Sequence, residues 1–298
     1  MTAPDWFTRA LEVSWTDETV RVTGTDIHYL AWGERGQRGL LFVHGGGAHA
    51  HWWTHIAASV GGDYRIAALD LSGHGDSGRR VDYDLETWAD EVVAVAEHAQ
   101  MSGPPIVIGH SMGGFVSIVV AATHPDDVGG IVIVDSPVTR PGPEVEAAQV
   151  GQAFGKPRVY PDIATVRAKF RTVPPQEHYL DYVLDHVAPH SLRPVEGGFS
   201  WKFDHHVFVS AFRGGPRALA RPYLPEVRSR VALLRSEFGL IDDDIGAYMY
   251  EQLGRVAPVV ELPLAGHHPM LDQPLLLITA IRTLLADWDH SRPHHRAG

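Results

Sequence analysis

Apolar and polar positions along the 298-residue chain follow two periods. The stretch "ETVRVTGTDIHYLAWGE" (18–34) alternates and breaks at Gly24-Thr25, which predicts an antiparallel hairpin. Unbroken apolar runs recur at 39–45, 64–71, 105–109, 130–135, 230–237 and 258–264. They are short and read as strands buried on both faces. Between them lie stretches with helical spacing. "DLETWADEVVAVAEHAQ" (84–100) carries apolar residues three and four apart, and further helices are expected at 51–62, 112–123, 243–255 and 273–287. Regular alternation of strand and helix predicts an α/β fold, a mostly parallel sheet with helices on both faces.

Residues 138–225 break that rhythm. They are rich in Pro, His and aromatic residues ("EHYLDYVLDHVAPHSL", "GGFSWKFDHHVF"), with helical pieces and no clear strand. This predicts a core domain made of 1–137 and 226–298, and an inserted helical cap, 138–225. The cap would lie over the carboxyl ends of the strands, where open α/β sheets bind ligands.

Composition narrows the function. A formal net charge of −11 without a basic stripe argues against a nucleic-acid partner. The absence of cysteine excludes disulfides, thiolate nucleophiles and Cys-ligated zinc. "MTAPDWFTRALEVSW" lacks a basic region followed by an apolar stretch, and no apolar run reaches membrane-spanning length. A cytoplasmic enzyme without membrane contact is expected. The tail "HSRPHHRAG" is polar. The pairs His205-His206 and His294-His295 lack a third ligand at suitable spacing, so neither a metal nor another cofactor is expected.

The chemistry concentrates at three strand ends. Gly109-His110-Ser111-Met112-Gly113 lies between a predicted strand and a predicted helix. A serine exposed on so sharp a turn needs neighbours without side chains, which Gly109 and Gly113 supply. The plainer reading is an anion-binding helix N-terminus. "FVHGGG" (42–47) ends an earlier strand and can donate N–H groups to an oxyanion, with Gly46 preferred over Gly47 and the Met112 amide as second donor. "LAGHHPMLDQP" (264–274) follows the last strand and offers His267, ahead of His268, as the base that a serine nucleophile requires.

With these stretches the chain resembles the α/β-hydrolase superfamily, in the expected order from residue 42 to 274. "ALDLSGHGDSG", "IVIVDSP" and "WKFD" match as well. The resemblance implies an eight-stranded sheet with nucleophile elbow, cap and late histidine, and makes Asp70 with "GHGDS" a structural turn. One feature departs. Many relatives carry the triad acid after the seventh strand in a stretch like "RGxxDxxxP"; here "RSEFGLIDDD" puts Gly239 at that place. Asp135, ending the sixth strand, is the leading replacement, as in haloalkane dehalogenases. Asp242 and Glu237 are the alternatives.

The expected activity is hydrolysis of a carboxylic ester or lactone by Ser111, His267 and Asp135 through an acyl-enzyme. Two alternatives use the same scaffold. One is C–C bond hydrolysis of ring-fission β-diketones, for which Arg140, Arg158, Arg167 or Arg171 would bind substrate carboxylates. The other is a ligand-binding protein. The expected partner is a small molecule with an apolar or aromatic part, held by Trp201 and Tyr179. Phe203 and Phe208 are further candidates, although all four could equally form the cap's own core. The sequence leaves the oligomeric state open.

Overall fold

A computed structural model describes residues 2–141, 158–210 and 219–290. Its strands are β1 (Thr16–Val22), β2 (Thr25–Trp32), β3 (Arg38–Val43), β4 (Tyr64–Leu69), β5 (Ser102–His110), β6 (Gly130–Val134), β7 (Leu192–Val195), β8 (Gly198–Trp201), β9 (Arg230–Phe238) and β10 (Val259–Gly266). Eight of them form one sheet in the order β1-β2-β4-β3-β5-β6-β9-β10. The β1–β2 and β2–β4 pairs are antiparallel, and the other pairs are parallel. The hairpin turns at Thr23-Gly24, one residue earlier than expected, with φ of 46° and 81°. Positive φ at both central residues gives the turn the twist of its strands.

The strand pattern splits the core in two. Leu41 and Val43 face one side with Val107, Ile131 and Ile133, under helices Leu85–His98 and Met112–Thr123. Leu40 and Phe42 face the other with Ile108, Val132 and Val134, under helices Asp5–Glu12, Thr54–Val60 and Pro274–His290. Burial on both faces is why these strands read as continuous apolar runs rather than alternating ones. No helix among the described residues is long and apolar enough to cross a membrane.

The segment expected to be a helical cap includes helices Ile163–Lys169 and Asp181–His190, and also the antiparallel hairpin β7–β8, which the sequence did not reveal. These strands have four residues each and include Pro194, too few to show a period of two. Gly198, at φ 145°, lets the hairpin approach Tyr160: a Cβ there would lie 2.1 Å from the Tyr160 carbonyl oxygen. Residues 142–157 and 211–218 of the expected cap, and His294 and His295, lie outside the described residues.

Asp70 supports the turn after β4. Its carboxylate accepts from the Ala50 amide (2.6 Å), the Asp76 amide (2.8 Å) and His28 Nδ1 (2.7 Å). Burial opposes its charge, but the His28 hydrogen bond and charge prevail and hold it well below the usual carboxylate range. A Cβ on Gly75 would collide with this carboxylate at 2.1 Å, so "GHGDS" closes around Asp70 only with glycine there.

Phe42 is fully buried at the sheet centre, its ring centroid 5.0 Å from that of Trp53. Phe42→Ala should lower the unfolding free energy by about 3–5 kcal/mol in urea denaturation, since a central strand cannot collapse onto the cavity.

Candidate active site

Ser111 sits between β5 and the helix Met112–Thr123 at φ 52° and ψ −117°, a strained conformation for a residue with a side chain. Its amide donates to the Val134 carbonyl (3.0 Å), which fixes the turn to β6. The flanking glycines are required by close approach rather than by their own dihedrals. A Cβ on Gly109 would lie 2.1 Å from the Gly113 carbonyl oxygen, and one on Gly113 2.3 Å from that of Val43. Gly114 is held as tightly, with Ser136 Oγ 1.9 Å from its notional Cβ.

The turn delivers Ser111 Oγ to 3.0 Å from His267 Nε2. His267 follows β10, whose register with β9 shifts between Leu262 and Gly266 and re-aims the chain. On its far side, His267 Nδ1 stands 2.6 Å from Asp135 Oδ2, and both side chains are buried. The Asp135 carboxylate also accepts from the Ser236 amide (3.2 Å) and the Leu240 amide (2.8 Å).

The departure at Gly239 has a geometric cause. Asp135 ends β6 and His267 follows β10, so the carboxylate reaches across the end of β9, which lies between them. A Cβ on Gly239 would lie 2.3–2.5 Å from its carboxyl atoms. Asp135 therefore occupies the space into which a side chain at 239 would grow. The other candidates are placed elsewhere. Asp242 is exposed and caps helix Asp243–Gln252 by accepting from the Ile245 amide. Glu237 is exposed and accepts from the Leu264 amide.

Several supporting residues carried no recognisable mark in the sequence. His110 Nε2 donates to the His267 carbonyl (2.8 Å) and so fixes the backbone at His267. Burial, and then the neighbouring His267, push the His110 pKa well down and keep it neutral. His44 is also buried. It accepts from the Leu71 amide and donates from Nδ1 to the Gly45 carbonyl, bracing the glycine turn. Gly45 stands against Ser111: its Cβ would be 3.3 Å from that of the serine. The next residue, Gly46, faces an adjoining cavity of about 390 Å³ with Gly47, Trp52, Phe170, Trp201 and His268.

Of the expected binding residues, Trp201 and Phe203 line this cavity. Tyr179 instead supports its wall, with its hydroxyl 2.8 Å from Thr172 Oγ1 and accepting from the Gln176 amide. Phe208 is buried in the core. Lys169 and Arg171 bring cationic groups to the cavity. Arg140 and Arg167 are paired with Glu251 and with Asp181 and Asp185 respectively, and Arg158 is exposed. The rings of His110, His267 and His268 converge closely enough to hold a metal ion. However, His110 and His268 each have a ring nitrogen on a backbone carbonyl, and both nitrogens of His267 face Ser111 and Asp135.

The sequence profile of the alpha/beta hydrolase family matches residues 40–280. The chain belongs to that family. This α/β hydrolase is similar to lipase LipV of Mycobacterium tuberculosis, at 27% identity over 87% of this chain and 98% of that one. It is also similar to esterase Rv0045c of the same organism, at 28% identity over 90% and 89%. Among solved structures, E-2-(acetamidomethylene)succinate hydrolase shares the fold, with a TM-score of 0.79 at 23% identity, covering 92% of this chain and all (100%) of that one.

The Gly266 amide that leads into His267 donates to Asp272 Oδ2 (2.6 Å). Burial raises the Asp272 pKa from 3.8 to about 6, against the amide bonds it accepts. The folded state therefore holds its proton where the unfolded chain has lost it. The stability this confers is complete below about pH 4 and is lost as pH rises to about 6. Asp272→Asn should flatten the decline in stability across that window, measured by urea denaturation at each pH; an unchanged slope would assign the decline to other groups.

Proposed function

We propose that this α/β hydrolase is a serine hydrolase that cleaves a carboxylic ester, including cyclic esters, through an acyl-enzyme. The observation that carries this reading is the contact series from Ser111 Oγ to His267 Nε2 at 3.0 Å, and from His267 Nδ1 to Asp135 Oδ2 at 2.6 Å. In this reading His267 takes the Ser111 proton as Oγ attacks the ester carbonyl. Asp135 holds the imidazole tautomer and stabilises the imidazolium. The amides of Met112 and Gly46 receive the oxyanion. His267 then protonates the leaving alkoxide, and later activates the water that releases the acid and restores Ser111.

The named relatives are a lipase and an esterase, which supports ester substrates. Trp52, Phe170, Trp201 and Phe203 suit an apolar or aromatic group in the cavity. We assign substrate choice to the segment 138–225, which contributes most of that lining. Lys169 and Arg171 favour a second reading in which the substrate also carries a carboxylate, as in C–C hydrolysis of ring-fission products. Turnover of p-nitrophenyl esters against ring-fission dienes separates the two.

A fluorophosphonate should leave one adduct, on the peptide containing Ser111; an adduct on another serine, or full activity in Ser111→Ala, would overturn the assignment. Asp135→Asn should reduce kcat by about 10⁴, with the circular dichroism spectrum retained. Asp242→Asn should reduce it far less. In the Asp135→Gly background, Gly239→Asp should restore part of the lost kcat, because it moves the carboxylate to the opposing strand end.

A further inference from the structure

Outside the candidate active site, histidines gather where the segment 138–225 meets the core. His51 lies in the short helical turn Ala50–Trp52, just after the glycine turn. His186 and His190 lie one turn apart on helix Asp181–His190. The His51 and His190 rings stack at 3.8 Å, and His186 and His190 are 4.7 Å apart. One ring nitrogen from each histidine lies within 4.8 Å of those of the other two.

We infer that His51, His186 and His190 form a binding site for a divalent transition-metal ion such as Zn²⁺, which fastens the helix Asp181–His190 to the core. A tetrahedral site with metal–nitrogen bonds of about 2.0–2.1 Å places its ligands about 3.4 Å apart. The nitrogens now lie within 4.8 Å of one another and the His51 and His190 planes are 28° apart, so these two rings must turn out of their stack for both lone pairs to meet on one ion.

Hydrogen bonding prepares them for it. His190 Nδ1 donates to the His186 carbonyl (2.7 Å), which leaves Nε2 as the lone-pair nitrogen; ligating histidines are oriented in this way. His186 Nε2 is buried without a hydrogen-bond partner. His51 Nδ1 faces Thr54 Oγ1 at 3.5 Å. Two nearby histidines are committed otherwise, His49 to Ser191 Oγ and His55 to the Met270 carbonyl. His186 and His190 are only partly buried, which gives an ion a route in, and three imidazoles leave a fourth position for water. The set suits zinc, copper or nickel rather than magnesium or calcium. Trp52 and Ser191, each next to a ligand in sequence, line the cavity, so an ion here would also fix part of the cavity wall.

The test uses the full chain, stripped with a chelator and titrated with ZnCl₂ by calorimetry and with CoCl₂ by visible absorption. One ion per chain should bind, with the absorption of tetrahedral cobalt, and excess Zn²⁺ should raise Tm by about 5 °C. His51→Ala, His186→Ala and His190→Gln should each weaken binding by more than the about 10–100-fold lost with an outer partner, while metal-free variants keep wild-type fluorophosphonate labelling of Ser111. His294→Ala/His295→Ala should bind as the wild type does. Absence of saturable binding by the wild type overturns the proposal. So does binding that survives His51→Ala and His190→Gln, or that is lost only in the tail variant. Zn²⁺ that blocks labelling of Ser111 at the binding concentration would place the ion on His110, His267 and His268 instead. Binding is read without turnover, so a failure of the ester reading would leave this result distinct.

Discussion

The arrangement at the carboxyl end of the sheet depends on one steric constraint, the left-handed backbone at Ser111. A residue with a side chain persists at that φ only where its surroundings leave no alternative. Here the surroundings are backbone together with the side chains of Ser117 and Ser136. The Val134 carbonyl holds the Ser111 amide, while Val43, Gly113 and Ser136 close on the glycines from three sides. β3, β5 and β6 therefore meet at a single point. The Ser111 hydroxyl is aimed by main chain and two packed serine side chains at the ends of regular elements, which hold a side chain more closely than a loop would.

The same reasoning explains the position of the Asp135 carboxylate. In a parallel sheet ordered β5-β6-β9-β10, the serine and the histidine follow strands separated by two others. A carboxylate that orients the histidine can come from the end of either intervening strand. Only one such side chain fits, because the spaces available to side chains at 135 and 239 overlap. The glycine at 239 and the aspartate at 135 are thus two sides of one choice, and the two β9-end amides that bind the Asp135 carboxylate complete its solvation.

Much of this was legible because burial on both faces leaves a plain trace. The inner strands read as apolar runs, and the glycines around Ser111 announced a close approach before any neighbour was known. Asp135 could be suspected from what Gly239 lacked. The supporting roles were not legible. His44 and His110 act through contacts with residues distant in sequence, and nothing near them marks the partner. Tyr179 had the composition of a pocket residue and instead supports the pocket wall. The β7–β8 hairpin was too short to show a period. The histidine cluster joins an early turn to a later helix, so only the folded chain brings it together.

The seat of this carboxylate also changes which loop is free to vary. With the carboxylate at the end of β6, the end of β9 contributes to it only the amides of Ser236 and Leu240 and the bare position at Gly239. Its outer residue Phe238 is 66% exposed. That turn can accept new outward-facing residues as long as position 239 stays bare and the amides at 236 and 240 keep their aim. The opposite holds for the stretch after Asp135. Ser136 presses on Gly114 and Val138 lies fully buried, so the chain is anchored there before it leaves the core. A change of length before residue 138 would therefore displace Ser136 and Val138 from these contacts.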